Sequence, residues 1–293
     1  MSLGIAIKGT EGVVLAADSR VTLFAQAIHA GQGLQATMLI PATFDHATKL
    51  LKIHQEDQRQ ENQKYVAAVT FGAGAIGLKA PRTARSFMPE FEKELGHADR
   101  LSVLSFAKKL SDFFSRQWAA SDMPSGLGQQ NDMVFFVGGY DEGDAYGKVL
   151  KFSIPNSPVP EPAVPEGQFG AAWGGQREIT DRIVQGFDPA LPAHIQDILA
   201  IPQTQRNPSA LDAQLRGRLT LAIPWQFLPL QDCVDLAILL VRTTIAFQRF
   251  TVGVRGVGGA IDVATITRID GFKEIQAKQI FGGKEHPTGR SRI

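Results

Sequence analysis

Four positions in the sequence carry groups suited to acyl-transfer chemistry. They are the hydroxyl of Ser2, the carboxylate of Asp18, the amine of Lys49 and the backbone N–H of Gly72. Cytosolic processing removes an initiator methionine when the next residue is as small as serine, so loss of Met1 leaves Ser2 with a free α-amine. An amine of this kind, with a pKa of about 7.7–8.0, can act as the base for the neighbouring hydroxyl. Ser2 is therefore a candidate nucleophile.

The first twenty residues predict a β-hairpin that brings Ser2 near Asp18. The strands are expected at Leu3–Ile7 and Val13–Ala17, joined by a turn over Lys8–Gly12. A turn centred near Thr10 sets Ser2 opposite Asp18, with their Cβ atoms about 4.5–5.5 Å apart. The alternative is that Ser2 is an ordinary, frayed terminal residue.

Lys49 and Gly72 each admit a catalytic and a structural interpretation. A lysine beside a nucleophile stabilises negative charge, and Asp18 is a suitable partner to hold it. Lys49 and Lys52 also fit the solvent-facing side of a strand. Gly72 follows a predicted strand, so its N–H is a candidate donor to an oxyanion, but a glycine there also suits a turn or a close chain contact.

The composition is that of a globular protein without a marked charge preference. Of 293 residues, 44% are hydrophobic, and 30 basic residues face 29 acidic ones, which does not favour nucleic acid or an anionic membrane as a partner. The single cysteine, Cys233, is expected in the core. The six histidines lack metal-ligand spacing, and no phosphate-binding loop is present, so no metal or cofactor is expected. The N-terminus does not resemble a signal peptide, and the apolar runs are too short to span a bilayer; a soluble cytoplasmic protein is expected.

The order of elements predicts an α+β fold with two sheets between two helical layers. Blocks of strands alternate with pairs of helices, the clearest helices being Val103–Ala119 and Gln231–Phe250. We predict a single domain over residues 1–281, with insertions at about 21–44 and 187–230, and a C-terminal tail at 282–293. The proline-rich segment Pro155–Glu166 is expected to be an extended surface loop.

The chain resembles the proteasome β-type subunits, which are N-terminal nucleophile (Ntn) hydrolases. The resemblance covers about two thirds of the chain and rests on GVVLAADSR (Gly12–Arg20), TKLLKI (Thr48–Ile53), VTFG (Val69–Gly72), the helix Gln231–Phe250 and GGAIDVATITRIDGF (Gly258–Phe272). It implies a four-layer αββα sandwich. It also implies the roles of nucleophile for Ser2, lysine anchor for Asp18, catalytic lysine for Lys49 and oxyanion donor for Gly72.

The sequence departs from the pattern of this family at several positions near the expected site. Serine replaces the threonine nucleophile, and Trp173–Gln176 replaces a serine flanked by glycines. Val254 and Val257 stand where an aspartate and a serine orient the amine, and Phe71 replaces a small residue. The long insertions, with the ITDRIV run at Ile179–Val184, resemble bacterial relatives of the proteasome such as Anbu.

The resemblance implies a self-compartmentalising peptidase or amidohydrolase. Subunits of this type enclose their sites in rings or stacked assemblies, so we expect homo-oligomers that act on peptides or proteins; an ATPase partner is left open. Two alternatives stay open: a catalytically inactive structural subunit, and an Ntn amidase for small molecules.

Overall fold

Two five-stranded antiparallel sheets form the centre of the protein. The computed structural model describes residues 2–31, 34–53, 63–77, 80–96, 99–121, 123 and 132–278. The first sheet has the order β10-β1-β2-β11-β12, with strands β1 (Leu3–Lys8), β2 (Val13–Asp18), β10 (Gly170–Gly175), β11 (Ile261–Thr267) and β12 (Gly271–Gln276). The second has the order β5-β6-β7-β8-β9, with strands β5 (Leu50–Leu51), β6 (Val66–Gly72), β7 (Met133–Gly139), β8 (Lys148–Ile154) and β9 (Ser157–Pro162).

Six α-helices and a separate hairpin complete the described part of the chain. The helices are α1 (Met88–Leu95), α2 (Val103–Ala119), α3 (Glu178–Val184), α4 (Leu191–Ile198), α5 (Pro208–Leu219) and α6 (Leu230–Gln248). The hairpin joins β3 (Val21–Gly31) to β4 (Leu34–Phe44) along eleven paired positions. None of the helices within the described ranges is long and apolar enough to cross a membrane.

Three separate apolar cores show that these elements form four layers. Between the two sheets lie side chains that include Leu15, Phe71 and Phe136. On the outer face of the second sheet, an aromatic core that includes Phe114 packs α1 and α2. On the outer face of the first sheet, residues such as Leu240 pack α6 against β1, β2 and β11. The expected αββα sandwich of antiparallel sheets is confirmed.

Local sequence signals explain α2, the helix whose bounds the apolar spacing predicts correctly. In α2, buried Phe106, Leu110, Phe113 and Phe114 recur at helical spacing. The Ser102 hydroxyl accepts a hydrogen bond from the Ser105 N–H at 3.0 Å, which caps the first turn. The observed bounds, Val103–Ala119, are those expected from the sequence.

The N-terminal hairpin forms, but with a register one residue away from the expected one. Gly4 pairs with Ala17 and Lys8 with Val13, so paired numbers add to 21 rather than 20. The turn is tighter than expected, because the Gly9 N–H donates to the Gly12 carbonyl at 2.9 Å and Lys8 remains in the strand. The prediction that Ser2 lies directly opposite Asp18 is therefore wrong; in this register Asp18 reaches the backbone of Leu3 instead.

The less regular segments hold more structure than their sequences indicate. The proline-rich segment is not only a loop, because Ser157–Pro162 forms the edge strand β9, where a missing N–H is tolerated. The sequence of the segment 187–230 favours short helices at His194–Ala200 and Ala210–Leu215, and the observed α4 and α5 begin earlier than these. The predicted single domain over 1–281 with its two insertions stays a prediction, and the tail at 282–293 lies outside the described residues.

Candidate functional site

The start of the described chain is held firmly beside the end of β10. Ser2 is buried, with 2% of its surface exposed. Its carbonyl oxygen accepts a hydrogen bond from the Gln176 N–H at 2.8 Å, and the Leu3 N–H donates to Oδ1 of Asp18 at 3.0 Å. Gly175 has a φ of +92°, and a Cβ there would lie 1.8 Å from the Ser2 carbonyl oxygen. Glycine is therefore required at this contact.

Asp18 is a fully buried carboxylate that joins several parts of the site. Its Oδ1 accepts from the Lys49 ammonium at 2.6 Å as well as from Leu3. Its Oδ2 accepts from the Gly258 N–H at 2.9 Å and the Arg20 N–H at 3.1 Å. A buried charge needs such partners to offset its desolvation. Asp18 thus fixes Lys49 to the beginning of β1 and to the segment that precedes β11.

Lys49 lies in an environment that disfavours the protonated form of its amine. Burial lowers the pKa of Lys49 below its usual range, and the adjacent Asp18 carboxylate opposes this effect without cancelling it. Its side chain is 7% exposed. An amine of this kind is a better proton donor than an ordinary lysine.

Gly72 presents its N–H to the hydroxyl of Ser2. The donor nitrogen lies 2.9 Å from Oγ of Ser2. Gly72 has a φ of +89°, and a Cβ at this position would lie 2.2 Å from the carbonyl oxygen of Asp132. The same carbonyl accepts from the Ala73 N–H at 2.8 Å, which fixes the end of β6. Backbone conformation and crowding both require glycine here.

The four residues singled out from the sequence come together although they lie as much as seventy residues apart. Ser2, Lys49 and Gly72 line one surface pocket, and Asp18 lies behind them. The pocket thus combines a hydroxyl, an amine of lowered pKa and a backbone donor. This set of groups is suited to attack on a carbonyl carbon and to stabilising the oxyanion that forms.

Phe71 is the departure from the family pattern that the structure explains most directly. Its ring lies between the sheets, with its centroid 4.9 Å from that of Phe136. A Cβ at Gly4 would lie 2.3 Å from this ring, and one at Gly174 would lie 2.4 Å from it. Gly4 and Gly174 are partners in the β1–β10 pair, so two glycines on neighbouring strands make the space that Phe71 fills.

Two further polar contacts near the pocket carried no local sequence signal. Gln248, at the end of α6, donates its amide to the side chain of Gln176, and its own oxygen accepts from the Val257 N–H at 2.8 Å. Arg20 binds both carboxylate oxygens of Asp45, at 2.5 and 2.7 Å. Val257, expected from the sequence to occupy an amine-orienting place, is buried and enters this network through its backbone.

Val254, the other valine expected at an amine-orienting place, has an exposed side chain.

Cys233 is buried, and burial raises the pKa of its thiol to about 11. Within the described ranges, no three His, Cys, Asp or Glu side chains lie close enough together to hold a metal ion.

The chain is similar to solved structures of Anbu subunits from three bacteria. A Gly-1 mutant of Anbu from Hyphomicrobium sp. strain MC1 aligns over 95% of this chain and 86% of its own, with a TM-score of 0.50 and 14% identity. The helical Anbu assembly from Pseudomonas aeruginosa aligns over 94% and 88%, with a TM-score of 0.49 and 17% identity. Anbu from Yersinia bercovieri, described as an ancestral beta-subunit, aligns over 93% and 86%, with a TM-score of 0.48 and 13% identity.

No protein-family model matches the chain, and no curated protein matches it. The likeness in three dimensions to the Hyphomicrobium protein therefore carries the comparison. At 14% identity it shows a shared fold. The resemblance to bacterial proteasome relatives found in the sequence is thus confirmed at the level of architecture: the chain has the fold of an Anbu subunit.

Proposed function

We propose that the protein is an N-terminal-nucleophile hydrolase of amide bonds, with Ser2 as its nucleophile after removal of Met1. The observation that carries this proposal is the hydrogen bond from the Gly72 N–H to Oγ of Ser2, made beside the buried Lys49–Asp18 pair. A structural serine does not need a backbone donor and a lysine of lowered pKa at the same pocket. The proposal gives each of these groups a task.

In the proposed reaction, the α-amine of Ser2 takes the proton from Oγ, directly or through water. Oγ then attacks the carbonyl carbon of the substrate, and the carbonyl oxygen becomes an oxyanion. The Gly72 N–H already points at Oγ, so an oxyanion bonded to the same carbon falls within its reach. When the C–N bond breaks, the protonated amine of Ser2 gives its proton to the leaving nitrogen. An ester on Ser2 remains, and water hydrolyses it with the same amine as base.

Lys49 supplies positive charge near the nucleophile, and Asp18 holds it. A protonated lysine favours the alkoxide form of a nearby serine, which lowers the barrier to attack. The pairing of Asp18 with both Lys49 and the Leu3 N–H fixes the distance between the lysine and the start of β1. Asp18 is therefore a positioning residue in this scheme.

We further propose peptides or proteins as substrates, the cytoplasm as the location, and self-association into a larger assembly. Large apolar side chains are exposed around the insertion and the end of α6, including Ile198, Phe227 and Phe250. Such side chains are typical of protein-binding surfaces, and a second copy of the chain is the partner proposed for them. Analytical ultracentrifugation of the purified protein tests this part, and a monomer at all concentrations would contradict it.

The function is tested by comparing the wild type with two variants. Ser2→Ala removes the hydroxyl, while alanine is small enough to permit loss of Met1. An inserted glutamate between Met1 and Ser2 keeps the hydroxyl but retains the methionine and so blocks the amine. We expect hydrolysis of several sequences from a peptide library by the wild type and by neither variant. Intact mass measurements establish the state of Met1 in each protein.

The same comparison, with small-molecule amides added to the peptide library, separates the alternatives. A folded protein that loses Met1 yet cleaves no peptide or small amide is a structural subunit, and the hydrolase proposal then fails. Cleavage of compact amides without cleavage of peptides indicates a small-molecule amidase that uses the same nucleophile.

A further inference from the structure

A second buried ion pair lies beside the Lys49–Asp18 pair and involves the last described residue. The ammonium of Lys278 contacts Oδ2 of Asp262 at 2.5 Å, and the Lys278 N–H donates to Oδ1 at 3.1 Å. The two side chains are only 9% and 3% exposed. Asp262 pairs in β11 with Ala17 of β2, the residue before Asp18. The aspartates of the two ion pairs, Asp18 and Asp262, therefore lie at neighbouring positions on adjacent strands.

Lys278 also binds the backbone that carries Lys49. Its ammonium donates to the carbonyl oxygen of Ala47 at 2.9 Å, two residues before Lys49. The N–H of Ala47 donates to the Ser19 carbonyl at 2.9 Å, and the carbonyl of Lys49 accepts from the Thr70 N–H at 3.0 Å. The segment Ala47–Lys49 is thus held by Ser19 after β2, by Thr70 in β6 and by Lys278, two residues after β12.

The charges of the second pair act on Lys49 in opposite directions. The first influence on the pKa of Lys49 is burial, which lowers it, and the next is Asp18, which raises it. The Lys278 ammonium lowers this pKa further, and the Asp262 carboxylate raises it. Arg20 and Asp45 also lie near this end of the pocket, where they form their own pair.

His46 adjoins Asp45 in the chain. The pKa of the Asp45 carboxyl is lowered chiefly by the hydrogen bond from Arg20 and to a smaller extent by His46.

We propose that Lys278 and Asp262 are positioning residues, which hold the Ala47–Lys49 segment in place and set a cation and an anion beside Lys49. The proposal rests on the proposed function, in which Lys49 acts as a cation beside Ser2. It links the C-terminal end of the described chain to the pocket formed at its N-terminus. Neither residue lines that pocket.

The test uses the full chain with three variants and a matched control. Lys278→Met removes the cation, Asp262→Asn removes the anion with little change of shape, and the double variant removes both. Lys273→Met is the control, because Lys273 lies in β12 five residues earlier and is exposed. The protonation of Lys49 is followed by NMR of ¹³Cε-labelled lysine, with the signal assigned through Lys49→Arg.

Lys278→Met and Asp262→Asn break the same ion pair, but we expect them to shift the titration midpoint of Lys49 in opposite directions. The midpoint moves to higher pH in Lys278→Met and to lower pH in Asp262→Asn, and it returns towards the wild-type value in the double variant. If the ion pair had a purely structural role, both single variants would shift the titration midpoint of Lys49 in the same direction. Shifts in the same direction, or shifts no larger than that of Lys273→Met, would overturn the proposal.

Activity provides an independent readout. In each variant, the alkaline limb of the pH profile for Ser2-dependent hydrolysis is expected to move in the same direction as the titration midpoint of Lys49. The reason is that deprotonation of Lys49 removes the cation that supports attack. Because the NMR titration does not require turnover, an inactive wild type contradicts the proposed function and leaves the titration to decide the role of the second ion pair. If Lys278→Met does not fold, Asp262→Asn and the charge-preserving Lys278→Arg still decide it: the first must lower the midpoint, and the second must leave it in place.

Discussion

Removal of the Asp18 carboxylate is the perturbation whose cost follows most directly from the structure. Asp18→Ala leaves three backbone N–H groups, those of Leu3, Arg20 and Gly258, without their acceptor. It also leaves the ammonium of Lys49 buried without a counter-ion. All of these donors lie at the junction of β1, β2 and the segment before β11. The loss therefore affects the framework of the site as well as its charge.

The expected cost is about 3–5 kcal/mol of unfolding free energy, the range measured when one partner of a buried ion pair is removed. Four hydrogen bonds to a charged acceptor, at about 1.5–3 kcal/mol each, would give a larger sum. Two effects reduce it. The backbone donors can relax towards water, and Lys49 can release its proton, because burial already lowers its pKa. A loss of this size is a large part of the roughly 5–15 kcal/mol typical of a folded domain.

The pH dependence of this loss has a definite sign. Lys49 has a lower pKa in the folded protein than in the unfolded chain, so the unfolded state binds the proton more tightly and this group favours folding more as pH rises. Without Asp18 the folded pKa falls further. The difference in stability between wild type and Asp18→Ala is thus greatest where Lys49 is protonated and Asp18 ionised, and it shrinks as the pH becomes alkaline and Lys49 loses its proton.

Urea denaturation at several pH values measures this difference, provided that the m-values agree. Asp45→Ala is the matched control, because the Asp45 carboxylate is 41% exposed, and loss of an exposed pair costs about 0–1 kcal/mol. In a double-mutant cycle with Lys49→Met, we expect a coupling of at least about 1 kcal/mol. A loss for Asp18→Ala no larger than that for Asp45→Ala, or one that grows with pH, would refute the reasoning.

Three further predictions concern packing at the site and in the core. Gly175→Ala should destabilise the protein by more than Gly167→Ala: both glycines have positive φ, but only at 175 does the new Cβ collide with the carbonyl of Ser2. Thermal denaturation of the two variants checks this, and equal losses would contradict it. Gly4→Ala should also destabilise the protein, because its Cβ meets the Phe71 ring, and Phe71→Leu in the same chain should restore part of the loss; additive losses in the double variant would show that the two do not compete for space. Cys233, with its pKa raised to about 11, should resist alkylation at neutral pH until the protein unfolds. Its contribution to stability is present below the ordinary pKa of 9.0 and is lost as pH rises towards 11. A thiol that reacts rapidly in the native state would show that it is not buried.

Much of the fold is readable from the sequence because it depends on local periodicity. Strands, turns and helices such as α2 repeat their apolar residues at the spacing of the element that they form. The four candidate residues follow instead from their chemistry and from the resemblance to the proteasome β-type subunits, although Ser2, Asp18 and Gly72 also lie next to the ends of predicted strands. The structure brings Ser2, Lys49 and Gly72 to one pocket, with Asp18 behind it.

What the sequence did not reveal depends on contacts between distant segments or on the details of turns. One hydrogen bond in the turn at Gly9–Gly12 shifts the hairpin register by a residue, and no composition rule fixes that bond. Lys278 and Asp262 look like ordinary charged residues of a strand and its end. Their burial becomes visible only when β11 is placed beside β2. The contact of Gln176 with Gln248 spans 72 residues and has no local signature.

The central claim is that Ser2, as the N-terminal residue, is the nucleophile, and one covalent labelling experiment tests it most directly. A peptide epoxyketone reacts with an N-terminal nucleophile through both its hydroxyl and its α-amine. After incubation with the native protein, digestion and mass spectrometry should find the probe on an N-terminal peptide that begins at Ser2 and lacks Met1, and should find no adduct in Ser2→Ala. Native protein that is fully labelled by the probe yet retains Met1, or labelling that persists in Ser2→Ala, would contradict the account.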